Sequence, residues 1–241
     1  MGATPPESGA PADRERLVAA VRDARDDAAP SALAAAGLLI LLALVSKHAS
    51  WELLGRDLWW IWLVVAAPYI CLFGVLAFWR ATEAVHDHRR SIVIGLLAIV
   101  WTFTVLGVGL LVMSLVSHSG REINGRELLL SGTVVLATNA VAFGLAFWEL
   151  DCGGPVARAV SNLPRKPDFQ FAQDENPQLA RDGWSPRLWD YLYVSLTNSI
   201  AFSPTDTMPL TRTAKRLMAA ESILSGITIL LVAARAVNIL A

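Results

Sequence analysis

The residue types with the most chemistry gather near one end of the chain. Asp190-Tyr191-Leu192-Tyr193-Val194-Ser195-Leu196-Thr197-Asn198 reads as a short amphipathic run. It meets an elbow of hydroxyls, prolines and one carboxylate, Ser203-Pro204-Thr205-Asp206-Thr207-Met208-Pro209, and a long apolar stretch follows from about 211 to 240. Pro204 and Pro209 each fix φ and remove a backbone donor, so the groups between them cannot all pair in a helix. Asp206 is the residue expected to shape this elbow. Its carboxylate can accept from free N–H groups of the following turn, where negative charge is favoured by about 0.3–1 kcal/mol at an exposed site. Ser203, Thr205 and Thr207 add hydroxyls for the same purpose, and Thr197 and Asn198 stand just upstream. Two readings of these six residues stand side by side: a helix cap, or a site for an ion or small solute.

Other candidate groups are scattered. Glu83-Ala84-Val85-His86-Asp87-His88 holds metal-ligand residue types in one connecting loop, and His86 with His88 would share a cation only if that loop were extended. Glu221 lies about two helical turns past the elbow, near Lys215 and Arg216, and reads as a paired structural charge, with a relay role as the alternative. Arg235, near the far end of the same stretch, reads as a side chain that snorkels to the interface. Asn139 and Asn198 are expected to hydrogen-bond between helices, each such bond contributing roughly 0.6–2 kcal/mol. No glycine-rich phosphate loop, nucleophile elbow or HExxH helix occurs, so neither an enzyme activity nor a cofactor is expected.

The elements that must position these groups follow from composition. Of 241 residues, 54% are hydrophobic and only 17% charged, with a mean hydropathy of +0.47. A soluble domain is roughly 45–50% apolar, and here the excess lies in blocks. A net charge of −1 argues against a nucleic-acid partner, which would need a concentrated basic face. Cys71 lies inside an apolar block and Cys152 follows another, so neither a disulfide framework nor a metal spacing is expected.

Crossing about 30 Å of hydrocarbon takes about 20 apolar residues in a helix. Five blocks meet that length: 28–46, 57–79, 91–117, 128–150 and 214–240. The second carries Trp59, Trp60 and Trp62 at one end and Phe78-Trp79 at the other, the aromatic belt of a helix meeting both interfaces. Residues 1–27 read as a tail, partly disordered, with a short charged helix over 13–22, solvated rather than lying on lipid. The proline-broken segment 151–187 is expected to loop at the surface, part of it folding as a lid over the elbow.

Orientation follows from Lys and Arg. One side of the bundle gathers Arg14, Arg16, Arg22 and Arg25, then Arg80, Arg89 and Arg90, then Arg158, Arg165, Lys166, Arg181, Arg187, Arg212, Lys215 and Arg216. The other holds Lys47, Arg56, Arg121 and Arg126. Because cytoplasmic loops carry the excess of Lys and Arg, the N-terminus is expected inside and Ala241 outside.

Tyr193-x-x-x-Thr197 followed by Asp206-x-x-Pro209 and a small-residue-rich helix is similar in spacing to potassium-channel pore domains. The likeness covers about the last fifth of the chain. Where that family carries Thr-Val-Gly-Tyr-Gly, this chain has Ala201-Phe202-Ser203-Pro204-Thr205, without the glycines that let successive carbonyls line an ion path. The order of four spans, an Asp-aromatic-x-Tyr segment, a Ser-x-x-Asp elbow and a last helix with Ser225 and Val237-Asn238 resembles a family of uncharacterised bacterial multi-pass membrane proteins. That family brings a layout and no activity.

The expected fold is thus an all-α integral membrane protein of the inner membrane. It has five spans in two groups, 28–150 and 188–241, the second including a re-entrant or interfacial hairpin at 188–210. The leading function is conduction or transport of an ion or small solute at the elbow; the alternative is a non-conducting structural or interaction protein. Its partner is the lipid bilayer. A second copy of the chain is also expected, because Ala219, Ser222, Gly226 and Ala233 form a small-residue stripe, although that stripe would serve packing within one chain equally well.

Overall fold

Apolar blocks of this length can satisfy their own backbone in hydrocarbon only as helices. A computed structural model describes residues 10–51, 56–78, 86–116, 125–160, 166–202 and 206–240. Four long helices come first: α1 (Ala10–His48), α2 (Trp60–Phe78), α3 (His86–Val116) and α4 (Gly125–Leu150). A 3₁₀ turn at Asp151–Gly153 leads to α5 (Pro155–Val160), strand β1 (Phe169–Phe171) and α6 (Ala172–Glu175). Then come α7 (Leu188–Ala201), strand β2 (Thr207–Pro209) and α8 (Arg212–Leu240). Among the described residues five helices are long and apolar enough to cross a membrane, within Glu15–His48, Trp60–Phe78, Arg90–Leu110, Arg126–Ala159 and Arg212–Ala234. The described residues are all-α apart from two short strands.

The first correction concerns the tail. α1 runs unbroken from Ala10 through Pro30 to His48, about 58 Å at 1.5 Å per residue, which is far more than the hydrocarbon needs. The reason is a stripe of small side chains, Ala20, Ala24, Ala28, Ala32, Ala36 and Ala43, all buried. Alanine favours helix and lets neighbouring backbones approach. The stripe packs on α2 along the bundle and on α5 beyond it. Pro30 is exposed, so its ring faces away from those contacts.

The second correction concerns 151–187, which is more than loop. β1 pairs antiparallel with β2 in the register Phe169↔Pro209, Gln170↔Met208 and Phe171↔Thr207, and Leu210 N–H donates to the Asp168 carbonyl at 2.8 Å. Phe169 and Phe171 are buried. An aromatic ladder ties this cap to the bundle: Phe143–Phe147 at 5.9 Å, Phe147–Phe169 at 5.1 Å, then Phe171–Tyr191 at 5.2 Å between ring centroids. The loop expected around His86 and His88 also changes, because both belong to the first turn of α3. Glu83 lies outside the described residues.

α4 is the hub, in contact with α1, α3, α7 and α8. Tyr69 of α2 donates to its Thr138 carbonyl at 2.8 Å. Two glycines set its approach to the later helices. A Cβ on Gly144 would lie 2.6 Å from Leu192 Cδ2 and 3.0 Å from Leu192 Cα, and one on Gly132 would lie 2.4 Å from Val232 Cγ2. Gly144→Ala should therefore push α7 off α4 and cost about 1–3 kcal/mol, the usual scale of overpacking. Gly74→Ala meets nothing within 4 Å and should be neutral or slightly stabilising, since alanine is the better helix former. Thermal unfolding of both variants in detergent checks the contrast, and equal melting temperatures would contradict this account of the α4–α7 contact.

Candidate functional site

The side chains of α7 and α8 that face each other are polar where hydrocarbon would be expected. On α7, Ser195, Asn198 and Ser199 fall at i, i+3 and i+4, one helical face; all three are buried. On α8 the facing stripe is Met218, Glu221, Ser222 and Ser225. Glu221 is fully buried, although it lies only about 13 Å along the helix from Arg212.

The two stripes meet around the Glu221 carboxyl. Asn198 Nδ2 donates to Glu221 Oε2 at 2.7 Å and to the Met218 carbonyl at 2.9 Å. Ser199 Oγ donates to Glu221 Oε1 at 3.0 Å. Ser195 Oγ is in hydrogen-bond contact with the same Oε1 and lies 2.7 Å from the Ala140 carbonyl oxygen of α4. Ser222 Oγ donates to Asn198 Oδ1 at 3.1 Å. Asn139 of α4 extends the network by donating to Ser225 Oγ at 3.1 Å. Both asparagines therefore make the expected interhelical bonds. Glu221 does not pair with Lys215 or Arg216, which are exposed; hydroxyls and an amide hold it instead.

A second buried acid organises the end of the bundle where the cap sits. Asp151 Oδ1 accepts from the backbone N–H of Asp168 at 2.6 Å and of Phe169 at 3.2 Å. Its Oδ2 accepts from the Tyr191 hydroxyl at 2.6 Å and lies 3.7 Å from Arg158 Nη1. Arg158 also donates to the Asp151 and Trp148 carbonyls, at 2.7 and 3.1 Å, and stacks over the Tyr191 ring at 5.3 Å. Burial raises the Tyr191 hydroxyl above the usual tyrosine range, partly offset by Arg158. It therefore stays a donor to Asp151. This clamp holds β1 and the start of α7 against α4, and so sets where the polar face of α7 lies.

The expected elbow residues divide. Asn198 and Ser222 belong to the Glu221 network. Thr197 turns back on its own helix, donating to the Tyr193 carbonyl at 2.9 Å. Asp206 is exposed, and among the described residues it accepts a long bond, 3.4 Å, from Thr207, which is buried in β2. The cap of α8 is Thr211, whose Oγ1 accepts from Ala214 N–H at 3.2 Å and donates to Asp168 at 2.6 Å. Asp206 thus does not carry the capping role expected of it. Gly226 faces Phe202, which ends α7 with a left-handed φ of 55°; a Cβ there would lie 3.3 Å from the Phe202 ring. Of the small-residue stripe, Ser222 and Gly226 are used within the chain, whereas Ala219 and Ala233 are exposed. Ser203, Thr205 and the side chain of Arg235 lie outside the described residues.

Residue reading missed Ser195, Ser199 and the Asp151–Tyr191–Arg158 clamp. The helical spacing of Ser195, Asn198 and Ser199 was the available signal. Little that is local marks Asp151 as a clamp: Arg158 lies seven positions on, but the Asp168 N–H and the Tyr191 hydroxyl come from 17 and 40 positions away. Among the described residues no group of three His, Cys, Asp or Glu could hold a metal ion.

Removing the Asp151 carboxylate leaves three donors and Arg158 without their acceptor, so Asp151→Ala should cost about 3–5 kcal/mol. Tyr191→Phe loses one bond and should cost about 1–2 kcal/mol. In the Asp151→Ala background Tyr191→Phe should cost almost nothing, since the pair is already broken. Unfolding followed by tryptophan fluorescence checks this cycle; additive losses would mean the two side chains act independently. The clamp and the Glu221 network have to be read from their own chemistry, because no protein-family model, curated protein or solved structure matches this chain.

Proposed function

We propose that this protein conducts or transports a small ion across the inner membrane, and that Glu221, rather than the elbow acid Asp206, is the residue the ion meets. One observation carries the reading. Glu221 is a fully buried carboxyl in a helix apolar enough to span, held by hydroxyls and an amide and not by a cationic side chain. Ionisable groups in such segments are costly and mark ion and proton pathways.

Two further features support it. Buried polar side chains continue from Glu221 along the facing sides of α8 and α4: Ser225 and Thr228 on one, Asn139, Ser131 and Glu127 on the other. Within that line Asn139 Oδ1 and Ser131 Oγ are buried without a hydrogen-bond partner among the described residues, and so remain free to accept from a passing donor. The second feature is the course of α7. It runs antiparallel to α4 and parallel to α8, with Leu192 against Gly144 at one end and Phe202 against Gly226 at the other, while β2 pairs with the cap. We read this as a re-entrant helix that enters with α8 and returns through the elbow. The Lys and Arg asymmetry supports an entrance, and an N-terminus, on the cytoplasmic side.

The test is flux in liposomes containing the purified full chain, with entrapped pyranine for protons and radioactive sodium and rubidium for metal cations. Uptake above that of empty vesicles is expected for at least one of these ions, and Glu221→Gln should return it to the empty-vesicle level. Folded parent protein that carries none of them would favour the competing reading, a structural membrane protein in which Glu221 only fastens three helices.

A further inference from the structure

Ser195 has one hydroxyl hydrogen and two oxygen neighbours. One is the Ala140 carbonyl, 2.7 Å away, which can only accept; the other is Glu221 Oε1. Two oxygens do not sit in hydrogen-bond contact without a hydrogen between them. With its hydrogen on the Ala140 carbonyl, Ser195 is satisfied on both sides only if Glu221 carries the hydrogen between them.

The rest of the network agrees. The Met218 carbonyl, 2.9 Å from Asn198 Nδ2, fixes which way that amide points, because a carbonyl would reject the amide oxygen. Asn198 thus turns N–H toward Glu221 Oε2 and gives its oxygen to Ser222. A metal cation seeks oxygen ligands, and here the nearest amide offers it a hydrogen. The side-chain hydrogen bonds that reach this carboxyl come from Ser195, Asn198 and Ser199, and the charged groups nearest to it in sequence on α8, Lys215 and Arg216, are exposed.

We infer that Glu221 is a carboxylic acid in this conformation and that the ion it handles is the proton; the inference rests on the ion-site reading above. Release of the proton leaves one hydrogen for two acceptors, so the Ser195 bridge between α4 and α8 opens on one side. Proton movement and helix contact are thereby tied together, with Ser195 as the positioning residue.

The full chain with carbon-13 label in its glutamate carboxyls, reconstituted in vesicles, tests this by infrared spectroscopy together with flux. A label-sensitive C=O band of a buried carboxylic acid is expected in the parent and absent in Glu221→Gln, which keeps the neutral shape and a donor toward Ser195 and should unfold at the parent's temperature. Ser195→Ala should keep the band and shift its frequency. Glu221-dependent uptake should be seen with pyranine and not with sodium. Absence of the band together with Glu221-dependent sodium uptake would overturn the proton while leaving the ion site standing. A band without Glu221-dependent flux of any ion would overturn the ion-site reading and, with it, this proposal.

Discussion

A polar group buried among apolar helices must find its partner inside the protein, and the Glu221 carboxyl is where that constraint weighs most. One side chain draws on Ser195, Asn198 and Ser199 of α7, and through Ser195 it reaches a backbone carbonyl of α4. Leaving such a group unpaired is strongly destabilising, whereas an apolar replacement of the same shape is often tolerated.

Meeting the constraint depends on close approach. Serine hydroxyls reach only across short gaps, and the gap between α4 and α7 is short because Gly144 has no Cβ to hold Leu192 away. Asp151 then fixes the angle of entry, since its two oxygens bind the strand before α7 and a tyrosine within it. The cap, the hub helix and the buried acid form one chain of dependence.

The same logic explains where expectation and structure part. The charged N-terminal stretch looks solvated because acids balance its arginines, but its alanines recur every four residues and give it a face to bury. The proline-rich segment looks like loop because helices exclude proline, but Phe169 and Phe171 supply enough apolar surface to fold it against α4. Asp206 looks like the cap because it stands between prolines, but Thr211 is nearer the first turn of α8 and already tethered by Asp168.

Five helices apolar and long enough to span, the all-α class and a polar break before the last helix were legible in the sequence. Apolar run length and proline position are local properties, and a membrane leaves the backbone few alternatives. Which polar residues matter was not legible, because that is a property of neighbours. Glu221 meets Ser195 across 26 positions, Ser195 meets Ala140 across 55, and Asn139 meets Ser225 across 86. Local order gives Glu221 two cations for company; helix rotation turns those cations to the outside and the carboxyl inward. Tertiary structure alone decided that, because burial and pairing are settled by which helix faces meet.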